Sequence, residues 1–166
     1  MAKGDFTWYQ PAQRGSRQHQ VASGGTPPAI NAGELVLKTP GNQYVIAMAT
    51  NKPVVATDYV VGLAAGTPGT AGNSSETATV AGIIEVEDFR NGDVLLGNPK
   101  VAATATPQAT YNALVGKRVL IDVTTGVQTV LIADSSTSGC VIENLNLASY
   151  PGKVAFSLRA GASYLA

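Results

Sequence analysis

The chain has 166 residues, a formal net charge of zero and only 13% charged residues, well below the roughly 25% of ordinary soluble domains. So weak and balanced a charge argues against nucleic acid, whose phosphates demand clustered Lys and Arg. Its one cysteine, Cys140, excludes both an intrachain disulfide and a cysteine zinc cluster.

Length suits a single domain that buries about two thirds of its unfolded surface. No apolar run approaches the roughly 18 residues of a membrane span, and the N-terminus lacks the apolar core of a signal peptide. A soluble protein without a membrane partner, kept inside a cell or a particle, is expected.

Residues 1–33 read as an extended N-terminal arm ahead of a β-rich domain, 34–166, which could divide into subregions 34–100 and 101–166. The arm holds the only Trp and the only His of the chain, Trp8 and His19, with Phe6, Tyr9, Arg14 and Arg17. Val21 and Ile30 are nearly its only aliphatic residues. Alone in water it cannot bury enough apolar surface to offset its ordering entropy. Docking onto another chain is the expected remedy: an extended segment adds a strand to a neighbour's sheet edge, with aromatic anchors supplying specificity. The local alternative is that Trp8 and Tyr9 fold back onto their own domain.

From Glu34 onward short apolar runs alternate with turn residues. Leu35–Lys38, the turn Thr39-Pro-Gly-Asn42 and Gln43–Ala49 predict a hairpin. Tyr59–Ala64 is the next strand, followed by the glycine-rich loop Gly66–Ser75. No Gly-Lys-Ser/Thr follows that loop, so it is not read as a phosphate cradle. Thr77–Ala81, Ile83–Glu87 and Val94–Leu96 continue the strand pattern. Glu85 and Glu87 share one strand face and are read as a solvated surface rather than an acid–base pair.

One helix is signalled, with Thr106 as N-cap, Pro107 at the first helical position and Gly116 past the end. Tyr111, Leu114 and Val115 fall on its apolar face. Strands resume at Arg118–Thr124, Gln128–Ala133, Cys140–Leu147 and Lys153–Arg159. Thr125-Gly126 makes a tight hairpin between the first two of these. The fold class expected is mainly β: a small barrel or sandwich of about nine short antiparallel strands with one short helix.

Chemistry is sparse. His19 lies in the polar arm with nothing to place Cys140 or a serine beside it, and Cys140 reads as a small core residue. Asp122, Asp134 and Glu143 could meet at one end of a sheet, but their spacing matches no recognised Ca²⁺ loop. No enzyme and no cofactor are expected; low charge, long polar loops and an aromatic arm suit a protein that works by packing.

The opening Asp5-Phe-Thr-Trp-Tyr-Gln-Pro11, the polar stretch to Ser23-Gly-Gly25, then Glu34-Leu-Val-Leu37 and Val61-Gly-Leu-Ala64 resemble, in that order, the start of tailed-bacteriophage capsid decoration (cement) proteins of the lambda type. The chain departs from that type by its extra β region from about Lys117. The resemblance implies a virion protein made in the host cytoplasm. It would bind the outer surface of the expanded capsid, as a homotrimer at local threefold axes, and bridge major capsid protein subunits through the arm. Its motif-matched residues are Phe6, Thr7, Tyr9, Gln10 and Pro11; Trp8 and Arg14 join them on chemistry alone. On this reading the arm orders only on the shell. A head fibre or tail-associated protein contacting the host is the alternative; against a small cellular hydrolase or a carbohydrate-binding module stands the lack of a usable His or aromatic platform.

Overall fold

In a computed structural model the described residues are 6–9, 15–20, 30–38, 45–48, 50–65, 83–90, 92–100, 107–124, 127–132, 136–159 and 161–162. They form eleven strands and one helix. In chain order these are β1 (Thr7–Trp8), β2 (Ser16–Gln20), β3 (Leu35–Lys38), β4 (Ile46–Ala47), β5 (Tyr59–Ala65), β6 (Ile83–Asp88), β7 (Val94–Gly97), α1 (Gln108–Asn112), β8 (Arg118–Asp122), β9 (Thr129–Leu131), β10 (Cys140–Ile142) and β11 (Val154–Leu158).

The strands make two antiparallel sheets, one ordered β1-β7-β11-β10-β8-β9 and the other β2-β6-β5-β3-β4. Neither closes on itself, so of the two expected architectures the chain adopts the sandwich. The hairpins expected at 35–49 and 118–133 are both present. The strand expected at Thr77–Ala81 lies outside the described residues.

Side-chain alternation explains how the sheets stack. On β5, Val60 and Leu63 join Leu35 and Leu37 of β3 in the main core, where they meet Leu95, Val119, Ile121, Ile142 and Phe156 of the other sheet. Their neighbours Val36, Val61 and Ala64 point to the opposite face and form a second cluster with Ile30, Val45, Ile84 and Val86. The central strands β3 and β5 are therefore covered on both faces, which is why they read as unbroken apolar runs. On β6 the alternation is cleaner, with Ile84 and Val86 fully buried and Glu85 exposed.

The segment between β4 and β5 ties the sheets together. Asn51 and Ile121 bond backbone to backbone at 2.8 Å, Gly139 N donates to Pro53 O at 2.8 Å, and Val55 N donates to Thr137 O at 2.9 Å. Inside this crossover Asp58, nearly buried, accepts from Val54 N at 2.9 Å and pairs with Lys52 at 3.1 Å.

The helix is shorter than expected and begins one residue later. Pro107 stands at the N-cap with extended backbone and no side-chain cap, and the helical turn ends at Asn112. Gly116 closes the following turns at φ +84°, a conformation that favours glycine. Tyr111 is buried and Leu114 packs at the core margin, but Val115 is 41% exposed. A helix of so few turns covers only a narrow strip of sheet, and Val115 falls beyond it.

Candidate functional site

The segment read as an arm is, in its described parts, built into the chain's own sheets. β1 pairs with β7 (Thr7 with Leu96, Trp8 with Leu95), and β2 runs the length of β6 from Ser16–Glu87 to Gln20–Ile83. Both occupy sheet edges: β1 borders the six-stranded sheet and β2 the five-stranded one. Strand addition thus occurs within the chain, correcting the expectation that the arm stays apart from the domain and orders only on a partner. Aromatic burial is the physical reason: Phe6 and Trp8 supply the apolar surface that the rest of the segment lacks.

Each expected contact residue has a distinct place. Phe6 is only 3% exposed, meets Phe156 edge-to-face at 5.4 Å and lies over Gly97. It is a core residue, not a presented anchor. Thr7 is exposed. Trp8 is half-buried, with its ring 5.5 Å from that of Phe89 and its indole N–H donating to the Glu87 carboxylate. Tyr9 is half-buried; its N–H donates to Val94 O at 2.9 Å and its ring sits edge-on to Tyr150 at 5.3 Å. Gln10, Pro11 and Arg14 lie outside the described residues.

Along β2, Ser16, Arg17 and Gln18 are exposed while His19 is half-buried. Asp88, at the end of β6, binds both the Arg17 guanidinium and, at 3.0 Å, His19 Nε2. The histidine is thus committed to fastening β2. Of the two glutamates read as a solvated face, Glu85 is exposed as expected and Glu87 is turned to Trp8.

Other buried or half-buried carboxylates among the described residues are engaged in local structure. Asp122 accepts from Lys100 Nζ at 2.7 Å and from the hydroxyl and N–H of Thr124, which hold its carboxyl at about 2. Glu143 accepts from Ser157 Oγ instead of turning toward Asp122, and Asp134 lies outside the described residues. Among the described residues no three His, Cys, Asp or Glu side chains converge as metal ligands. Cys140 is fully buried, and burial pushes its thiol pKa up.

Beside Tyr9 opens a cleft of about 490 Å³ lined by Tyr9, Gln108, Asn112, Asn144, Leu145 and Asn146. Among the described residues its lining has four carboxamides, one phenol and no charged side chain. Gln108 builds its wall: Nε2 donates to Asn112 Oδ1 and to Leu145 O, both at 2.8 Å, and Oε1 accepts from Leu147 N at 2.9 Å. Asn146 Oδ1 caps the next turn by accepting from Ala148 N at 3.0 Å. Below the cleft, the Tyr111 hydroxyl donates to Glu143 O at 2.9 Å and accepts from Ala155 N at 3.0 Å, fixing helix to sheet. Burial raises the Tyr111 pKa.

This cleft is absent from the sequence expectations because Cys140–Leu147 reads as one strand. β10 stops at Ile142; Glu143 N still donates to Ala155 O at 2.9 Å, and residues 144–146 continue without a ladder. Asn144-Leu145-Asn146 was the available signal: a buried leucine between two carboxamides on the opposite side. Comparison with protein-family models, curated protein sequences and solved structures returned no match.

Proposed function

We propose that this chain is a structural virion protein that binds the outer surface of an expanded phage capsid and stabilises it by bridging major capsid protein subunits, as trimers at local threefold axes. One observation carries the reading. The segment that resembles decoration proteins supplies an edge strand to each sheet, with Thr7, Ser16 and Gln18 exposed. A segment at a sheet edge lies where a neighbouring subunit can reach its backbone.

The contact falls on Thr7, Tyr9, Gln10, Pro11 and Arg14, while Phe6 and Trp8 fasten β1 from the core side. Stabilisation is mechanical: many modest contacts, repeated by symmetry, raise the cost of shell rupture. The second reading, a head fibre or tail-associated protein that contacts the host, is favoured by the carboxamide cleft beside Tyr9.

Co-sedimentation with undecorated expanded capsids of the phage that encodes the chain tests the proposal. Deleting the whole segment would remove Phe6 from the core, so the comparison uses a Thr7→Asp, Gln10→Ala, Arg14→Ala triple variant. Saturable binding by the native chain and its loss in a folded variant support the cement role. Failure of the native chain to bind overturns it, and equal binding by both forms removes the segment from the contact.

A further inference from the structure

From the carboxamide cleft beside Tyr9 we infer a binding site for a neutral saccharide. The inference stands on the cleft alone and holds for either virion role.

The lining sets the ligand's chemistry. Among the described residues the lining holds no charged side chain that could neutralise a phosphate or carboxylate, which favours an uncharged ligand. The cleft is an open surface depression of about 490 Å³ whose four carboxamide residues are all solvent-exposed, so a ligand would lie along it rather than be enclosed.

The polar groups are of the kind that reads hydroxyls. A carboxamide carries a donor and an acceptor side by side, and a sugar hydroxyl is both at once. Gln108 is consumed in the wall, but the other three keep capacity. Asn144 makes no hydrogen bond among the described residues, and Asn112 and Asn146 use only their oxygens, leaving both NH₂ groups available. Their positions are held in advance: Asn112 accepts from Gln108, and Asn146 accepts from the turn that follows it.

The apolar part of the lining suits the carbon side of a pyranose. Tyr9 is fixed by its backbone bond to Val94 and by Tyr150, whose ring meets it at 63°. Half-buried, Tyr9 is the one aromatic residue among those described in the lining. An extended peptide would instead seek a free sheet edge for its backbone, whereas this lining is made of side chains from β1's end, the helix and the 143–146 segment.

The test is an NMR titration of the full chain, following the side-chain amide signals of Asn112, Asn144 and Asn146. The probes are maltotriose, chitotriose and lactose, with triglycine amide as a peptide control. Asn144→Ala is the variant of choice, because Asn144 is exposed and bonds to nothing else described. Saturable shifts of the three amides with at least one saccharide are expected. Asn144→Ala should weaken that binding about tenfold, as the loss of one or two hydrogen bonds implies, with its melting temperature unchanged. Absence of shifts with every saccharide, shifts with triglycine amide alone, or undiminished affinity in Asn144→Ala each overturns the assignment.

Discussion

The Gln128 carboxamide closes a two-bond ring with the backbone of Leu35, 93 residues earlier in the chain. Its Oε1 accepts from Leu35 N at 2.7 Å and its Nε2 donates to Leu35 O at 3.1 Å. Gln128 is 4% exposed and Leu35 fully buried. The side chain thus imitates a short strand, joining the edge of the six-stranded sheet at β9 to β3 of the other sheet.

Replacing Gln128 by Leu keeps the volume and orphans a buried N–H and a buried C=O. A cost of about 2–4 kcal/mol is expected from two unsatisfied backbone groups. Gln128→Glu should also destabilise, since a carboxylate cannot donate to Leu35 O. Urea denaturation, read as a lower midpoint with unchanged slope, measures both effects.

Gly97 and Phe6 form a similarly exclusive pair. A Cβ at position 97 would come within 2.3 Å of the Phe6 ring, so Gly97→Ala must displace it. A loss of about 1–3 kcal/mol follows from such overpacking. Phe6→Leu on the same background should recover part of it, giving a non-additive double-mutant cycle. Strict additivity would mean that the ring does not occupy that space in solution.

These pairs show what a linear reading could and could not reach. Most strands from β3 onward, the two described hairpins and the buried Cys140 followed from period-two alternation and turn residues, which act locally. The attachment of Phe6 to Gly97, or of Gln128 to Leu35, depends on which strands become neighbours, and composition is silent on that. The arm was misread for the same reason. It is poor in aliphatic residues, but its Phe and Trp find surface on β7 and on Phe89, both distant in sequence. The cleft was missed because apolar pattern carried the strand at Cys140 past Ile142, where the ladder in fact ends.

Intrachain docking of β1 and β2 has a direct consequence for the free protein. The Tyr9 amide, bonded to Val94 O, should exchange with solvent far more slowly than an unstructured amide, without any partner present. The β2 amides that pair with β6 should be slowed as well. Hydrogen exchange at random-coil rates through Thr7–Tyr9 would show that β1 forms only on a partner, restoring the arm reading.

The ion pair between Lys100 and Asp122 should make stability depend on acid in a predictable direction. The Lys100 ammonium and the Thr124 donors hold the Asp122 carboxyl at about 2, below its ordinary 3.8. Because the folded state binds this proton less readily than the unfolded chain, lowering the pH favours unfolding. The contribution is complete above about pH 4 and is lost as the pH falls through about 2. Asp122→Asn should lower stability at neutral pH by about 1.5–3 kcal/mol, the worth of hydrogen bonds to a charged group, and flatten the acid limb of the profile. Lys100→Met removes the largest cause and should move the Asp122 titration back toward 3.8. Carboxyl titration by NMR follows the shift directly, and an Asp122 midpoint unchanged in Lys100→Met would assign the low value to Thr124 instead.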